Sequence, residues 1–240
     1  MATARGEYGR ARLCCNGWIN AYRFFSSRER IWPRGFPLER INEAAPSIAA
    51  PECERELIAP VQQGLVDGAP DVDAIWRLVL GCDFRFRSAP SVYLSAGAWC
   101  PINSQNTWWF PRAFPLLYLP SFVGFRITDI WRGFIAQRCL WEWGLGIVFH
   151  APDMVQYRNP HSLMADFAAE IPAYLHNPRF CATLERTPLS AAPDAGGDNL
   201  HRCYVALIEA GFIPAAELPL VEAWLKDFAL VAGGCGQTNG

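Results

Sequence analysis

Lysine is nearly missing from this chain: of 21 basic residues only Lys226 is one, and arginine supplies the rest. Against 23 acids they leave a net charge of -2, and no basic stripe or block stands out. The electrostatic footprint of a nucleic-acid partner is therefore lacking. Charge is scarce altogether, at 18% of residues, while 51% are apolar and ten are Trp. That composition excludes a disordered chain. Long apolar runs are lacking too. The most apolar stretch, Ala113 to Phe125, contains Pro115 and Pro120 and falls short of the roughly 20 residues a membrane helix needs. Arg5, Arg10 and Arg12 are not followed by the apolar segment of a secretory signal, so neither leader nor transmembrane segment is expected.

Nine cysteines occur, but no C-x-x-C and no cysteine–histidine pattern with zinc spacing. An odd number cannot all pair internally, so buried reduced thiols are expected rather than a disulfide framework. His150, His161, His176 and His201 lack ligand spacing, with His161 beside Ser162 reading as a cap. No Ser-His-Asp or Cys-His set, no Gly-rich phosphate loop and no internal repeat is present. At 240 residues the chain can form one large or two small domains, burying roughly 70–75% of its unfolded surface.

What is there begins with Arg126 to Pro152, where an acid near a helix start is followed by a helix, a glycine break and a strand. Thr128 can cap, Asp129 sits where the helix dipole favours negative charge, and Gly144 with Gly146 can stop the helix before a short strand at Ile147–Phe149. Ile130, Trp131, Phe134, Ile135, Cys139, Leu140 and Trp141 do not fit one stripe, which predicts a largely buried helix over Asp129–Trp143. Upstream, residues 1–30 read as irregular, and Trp32-Pro33-Arg34-Gly35-Phe36-Pro37 as a rigid presenting loop. Glu43 to Glu56 reads as an exposed insertion. Val92–Leu94 is a short strand, with a long polar loop from Gly97 through Thr107. Downstream, Leu163, Phe167, Ile171 and Leu175 repeat every four residues on a helix that Pro172 should split. A linker precedes a helix that Asn199 can cap, carrying Leu200, Cys203, Tyr204, Leu207 and Ile208 and ending at Gly211. A second helix from about Pro219 carries Val221, Trp224, Leu225 and Phe228, and the tail from Gly233 is expected to fray.

Four groups can carry chemistry. Asp71-Val72-Asp73 has the spacing by which two carboxylates share a divalent cation, although Asp73 more simply caps Ala74-Ile75-Trp76. Asn103 to Thr107 with Trp108 joins amides and a hydroxyl to aromatic faces, a mixture that binds sugars and also serves to anchor a loop. Asp129 can be a general base, a ligand or simply a helix N-terminal acid, and the dipole favours the last by keeping it ionised. Arg34 offers a planar fork to a phosphate, or pairs with an acid.

The loop ending in Gln105-Asn106-Thr107, then Arg112, Thr128-Asp129 at a helix start, and Gly144 to Phe149 together resemble the acceptor-side half of GT-A-fold glycosyltransferases. Asp129 matches the last acid of their motif, and Thr128 stands where many members carry another. More narrowly, WINAYRFF (18–25), IWPRGFPLERI (31–41), DVDAIWRL (71–78), PINSQNT (101–107) and TDIWRGFIAQRCLWEWG (128–144) resemble the STELLO family. A more distant likeness is to the reversibly glycosylated polypeptides, the UDP-arabinopyranose mutases.

The resemblance implies an α/β, partial GT-A-like fold with a glycosyltransferase-like region over 1–184, a linker over 185–198 and a C-terminal α-hairpin over 199–232. It implies action on a UDP-sugar and a glycan acceptor in polysaccharide or cell-wall synthesis in the Golgi, with Mn²⁺ or Mg²⁺ on the diphosphate. Asp129 and Arg34 would be catalytic: Asp129 would orient or deprotonate the acceptor, and Arg34, in an R-G-F-P segment matching the self-glycosylated R-G-Y-P of the mutases, would approach the diphosphate or accept the sugar. Asn106, Gln105 and Trp108 would bind the sugar, while the acidic pair Asp71 and Asp73 lies downstream of where the resemblance places the metal-binding cluster. The family's nucleotide-binding half, metal-binding acid cluster and membrane anchor lie ahead of the W-P-R-G motif, where about thirty residues stand here. The alternative is a non-catalytic interaction module with a protein partner that assists a polysaccharide synthase, and a cytoplasmic location follows if the family address does not hold.

Overall fold

A computed structural model describes residues 8–14, 16–26, 30–43, 55–81 and 83–234. Its strands are β1 (Tyr8–Cys14), β2 (Gly17–Trp18), β3 (Arg55–Ile58), β4 (Val61–Gly68), β5 (Val92–Leu94), β6 (Ala98–Trp99), β7 (Thr107–Trp109) and β8 (Ile147–Gln156). Its α-helices are α1 (Ala74–Leu80), α2 (Thr128–Glu142), α3 (Leu163–Arg186), α4 (Gly196–Glu209) and α5 (Leu218–Gly234). A mixed sheet runs β3-β1-β5-β8-β4-β7, and β2 pairs with β6 separately.

The central pair decides where a site can form. β4 and β8 are parallel, and the last residues of each, Gly68 and Gln156, are partners. Both chains therefore leave the sheet at one edge, where the carboxyl ends of parallel strands leave a crevice. β4 is buried through Val66, as a strand covered on both faces must be. Its two buried amides are satisfied internally. Gln62 donates to the Ala59 carbonyl and Gln63 to the carbonyls of Gly64 and Asn106, while Gln63 accepts from the Asn103 N–H at 2.9 Å. The polar loop is thereby fastened to the sheet.

Helix α2 is buried continuously from Ile130 to Leu140, which its all-round apolar pattern predicts. Polar members of that run are tied to their surroundings. Gln137 bonds both the N–H and the carbonyl of Cys100, and Arg138 donates to the carbonyls of Leu184 and Thr187. Thr128 does not cap the helix: Ile127 holds the N-cap position, and the Thr128 hydroxyl donates to the Pro120 carbonyl at 2.7 Å. Gly144 is left-handed, with φ 66°. Gly146 is not, and serves clearance instead, since a Cβ there would lie 1.9 Å from the Leu94 carbonyl oxygen.

Several local expectations gave way to tertiary contacts. Residues 8–14, read as irregular, form β1 by pairing with β3 and β5, partners remote in sequence. The short strand at Ile147 continues to Gln156. The polar loop from Gly97 contains β6 and the start of β7. Pro172 does not split α3, which runs through both Pro172 and Pro178. The four-residue apolar row is not its buried face, as Ile171 and Leu175 are exposed. Burial falls on Glu170, Ala173, Asn177, Phe180, Cys181 and Leu184, and those packed contacts hold the helix across its prolines. Asn177 accepts from the Trp131 indole and donates to the Gly35 carbonyl, joining α2, α3 and the W-P-R-G turn.

Helix α4 starts at Gly196, and Asn199, inside it, exchanges two 2.8 Å hydrogen bonds with the Ser190 backbone instead of capping. Its Leu200, Cys203, Tyr204 and Leu207 are buried as their spacing predicts. α5 attaches through buried Val221 and through the Trp224 indole, which donates to the Pro115 carbonyl. Cys100, Cys139, Cys181 and Cys203 are buried and not disulfide-bonded. Most of the expected insertion at Glu43–Glu56, and all but Gly233 and Gly234 of the expected frayed tail, lie outside the described residues. Among those described, no helix is long and apolar enough to cross a membrane.

Candidate functional site

The crevice at the ends of β4 and β8 is a cleft of two adjoining lobes. One, of about 590 Å³, is bordered by Arg34, Asp71, Ser104, Gln105 and Asp129. The other, of about 580 Å³, is bordered by Arg77, Arg126, Arg158, His161 and Asp166. Asp71, Gln105, Phe125, Arg126 and Gln156 border both. Each wall comes from a different element. Asp71 follows β4, Gln156 ends β8, Asp129 opens α2, and Arg34 comes from the W-P-R-G turn. That turn depends on Gly35, whose φ is +86° and whose Cβ, if it had one, would meet Ile130 Cγ2 at 2.6 Å.

Arg34 is the hub of the first lobe. Its Nε and Nη2 donate to Asp71 at 2.9 and 2.8 Å, and its Nη1 and Nη2 donate to Asp129 at 3.1 and 3.0 Å. Nη1 also donates to the Arg126 carbonyl. A guanidinium has five N–H donors, and these bonds engage all five. The Ser104 backbone N–H donates to Asp129 Oδ2 at 3.0 Å, so the polar loop and the α2 N-terminus meet at one carboxylate.

The electrostatics follow. Burial works against the charge of Arg34, but Asp71 and Asp129 outweigh it and raise the guanidinium pKa well above its ordinary value. Burial likewise opposes ionisation of Asp129, yet Arg34, the Ser104 N–H and Arg132 together hold its pKa below the usual 3.8. Asp129 is thus an ionised, weakly basic carboxylate, and a protonated Arg34 with every donor occupied has neither a free fork for phosphate nor a lone pair to attack a sugar.

Among the described residues, the cleft carboxylates do not form a divalent-cation site. Between the two cleft carboxylates stands the Arg34 guanidinium, and the described residues contain no group of three or more His, Cys, Asp or Glu placed to hold a metal. Asp73 turns away from its neighbour Asp71. Fully buried, it caps α1 by accepting the Trp76 N–H at 2.7 Å and also takes the Trp32 indole N–H at 2.6 Å. Burial pushes its pKa up to about 6.

The structure therefore brings Arg34, Asp71, Gln105 and Asp129 together and leaves Asp73, Asn106 and Trp108 apart. Asn106 is buried, donating to Asp153 Oδ1 at 2.8 Å. Trp108 lies against Gly64 of β4, where a Cβ would meet its ring at 2.8 Å. Sequence reasoning missed Phe125, Arg126 and Gln156 as cleft residues. Arg126 had a signal in standing one turn before Asp129. Phe125, 88% exposed at the mouth of both lobes, is a large apolar ring with no core to serve.

Residues 126–233 match the family model of the STELLO glycosyltransferases. The chain is 29% identical over 229 residues to a protein of Arabidopsis thaliana named probable glycosyltransferase STELLO2, and 29% identical over 222 residues to one named probable glycosyltransferase STELLO1. Each alignment takes in 89% of this chain and 28% of the relative. The chain thus spans little more than a quarter of the length of the curated relatives it matches.

Proposed function

We propose that this chain, a STELLO-family glycosyltransferase-like protein, forms one side of a cleft for a nucleotide sugar and a glycan acceptor in polysaccharide synthesis. The observation that carries the reading is the meeting of the Ser104–Gln105 loop with Asp129 beside Arg34 and Asp71 in one open lobe. Amide and carboxylate groups there match pairs of sugar hydroxyls, and the Phe125 ring at the mouth offers an apolar face to a pyranose. On this reading Asp129 accepts hydrogen bonds from a sugar or acceptor hydroxyl, and Arg34 positions both carboxylates rather than touching substrate. A GT-A-type arrangement completed by further sequence, and a Golgi location, belong to the same reading.

The low basicity of Asp129 favours a second reading, an interaction module that binds without catalysis and assists a polysaccharide synthase. Titration of the folded chain with UDP-sugars separates the two. Saturable binding that Asp129→Asn weakens, together with transfer to a glycan, is expected for the enzyme; no heat at millimolar ligand would leave the module.

A further inference from the structure

The second lobe of the cleft has a different character. Arg77 from α1, Arg126 before α2 and Arg158 after β8 all border it. Two of the three are paired. Arg126 meets Glu170 at 2.5 Å and Asp166 at 3.7 Å, and Arg158 meets Asp166 at 2.6 Å. Glu170 is further committed to the Ala74 N–H and the Tyr174 hydroxyl. Arg77 is the exception. Its Nη2 donates to the Pro70 carbonyl at 2.5 Å, its Nε is buried without a hydrogen-bond partner, and no carboxylate of the described residues lies within 4.0 Å of it. A buried, unpaired guanidinium donor is costly. Burial and the charge of Arg158, and less that of Arg126, lower its pKa to about 10, with Asp71 opposing them in part.

We propose, resting on the nucleotide-sugar reading above, that Arg77 with Arg158 and Arg126 is the subsite for the diphosphate of the ligand, held by guanidinium forks without a divalent cation. Arg126 uses Nε and Nη2 on Glu170, and Arg158 uses Nε and Nη2 on His161 and Asp166, so in these bonds each keeps Nη1. Arg77 keeps Nη1 and one N–H of Nη2. N–H groups from three elements can thus meet the oxygens of two linked phosphates. The position also fits. The lobe lies beyond the carboxyl ends of parallel β4 and β8, where α/β sheets bind phosphates, and it adjoins the Gln105–Asp129 lobe through Gln105 and Gln156. A diphosphate on Arg77 would thus direct its sugar toward Asp129. Arg34, although closer to the acids, cannot do this work because its donors are taken.

The test is calorimetric titration of the chain with inorganic pyrophosphate, inorganic phosphate and a UDP-sugar, each in EDTA at low salt. The expected result is saturable pyrophosphate binding, stronger than phosphate, weakened about tenfold or more by Arg77→Gln or Arg158→Gln and less by Arg77→Lys. Thermal melts establish that each variant is folded, and Arg77→Lys keeps the charge with the least repacking. Absence of pyrophosphate binding in EDTA, or affinity that neither Arg77 variant changes, overturns the subsite. UDP-sugar binding that survives Arg77→Gln intact also overturns it while leaving the nucleotide-sugar reading in place. Pyrophosphate binding that follows the expected pattern, with no gain from the nucleoside and sugar, supports the subsite and overturns that reading.

Discussion

Asp71 and Asp73 stand two residues apart in one motif, yet one belongs to the cleft and the other to the core. Asp71 meets a cation, Arg34, that it shares with Asp129 from α2. Asp73 meets only neutral donors, a backbone N–H and an indole, and is fully enclosed. A carboxylate held by a cation at the edge of open space stays presentable to a ligand. One enclosed by neutral donors is a fastening, here of α1 and Trp32. Spacing alone left a shared metal and a cap at Asp73 both open; the partners show the cap.

Removing the cation should break the cleft side most severely. Arg34→Met leaves two largely buried carboxylates facing one another, a loss of about 3–5 kcal/mol. At about 2–4 °C per kcal/mol for a chain of this size, calorimetry should record a fall in Tm of roughly 10 °C. Arg34→Lys keeps the charge but has too few donors for both acids, so its Tm should lie between. A variant as stable as the parent would mean that the guanidinium does not hold the two acids.

On the core side, Asp73→Ala removes the α1 cap, worth about 1 kcal/mol, and strands the Trp32 indole N–H, for a total of about 2–3 kcal/mol. Chemical denaturation would measure it. Because Asp73 touches no cleft-lining side chain in the bonds that hold it, ligand affinity of the folded variant should stay close to that of the parent.

The two sides should also answer pH with opposite sign. The folded pKa of Asp129 lies below its ordinary 3.8, so its contribution is present above pH 3.8 and is lost as the pH falls through the folded value. Asp73 has a folded pKa of about 6. Between 3.8 and about 6 the folded state holds the extra proton, so its contribution is greatest in acid and declines as the pH rises. Denaturation between pH 3 and pH 7 should show Asp129→Asn flattening the acid limb and Asp73→Asn flattening the slope near pH 5. Identical profiles for the two variants would contradict the assignment of partners.

The same contrast explains what the sequence could say. The buried α2 helix was legible because its apolar residues ring the whole helix, and Asp129 was legible as an acid at its start. The α4 face followed from periodicity. What remained hidden was set by partners remote along the chain. The β1 strand exists through β3 and β5, α3 survives its prolines through a face that includes Glu170 and Asn177, and Asn106 is held in the interior through its carbonyl, which accepts from Gly64 and Gln63. Arg34 was singled out for its fork, but that all five donors would be spent on two acids and a carbonyl is a tertiary fact, with partners at positions 71, 126 and 129.

The smallest effect on stability should come with a clear effect on binding. Gln105 borders both lobes, and its amide donates to the Ala69 carbonyl at 2.9 Å and to the Gln156 side chain. These bonds lie at a solvated edge, so Gln105→Ala should cost no more than about 1 kcal/mol, a Tm change of a few degrees at most. Its position on both the arginine lobe and the Asp129 lobe places its amide alongside a bridging ligand. UDP-sugar affinity should therefore fall several-fold while pyrophosphate affinity, read on Arg77 and Arg158, holds. If both affinities fall together, Gln105 shapes the cleft as a whole, and the division between a sugar lobe and a phosphate lobe does not stand.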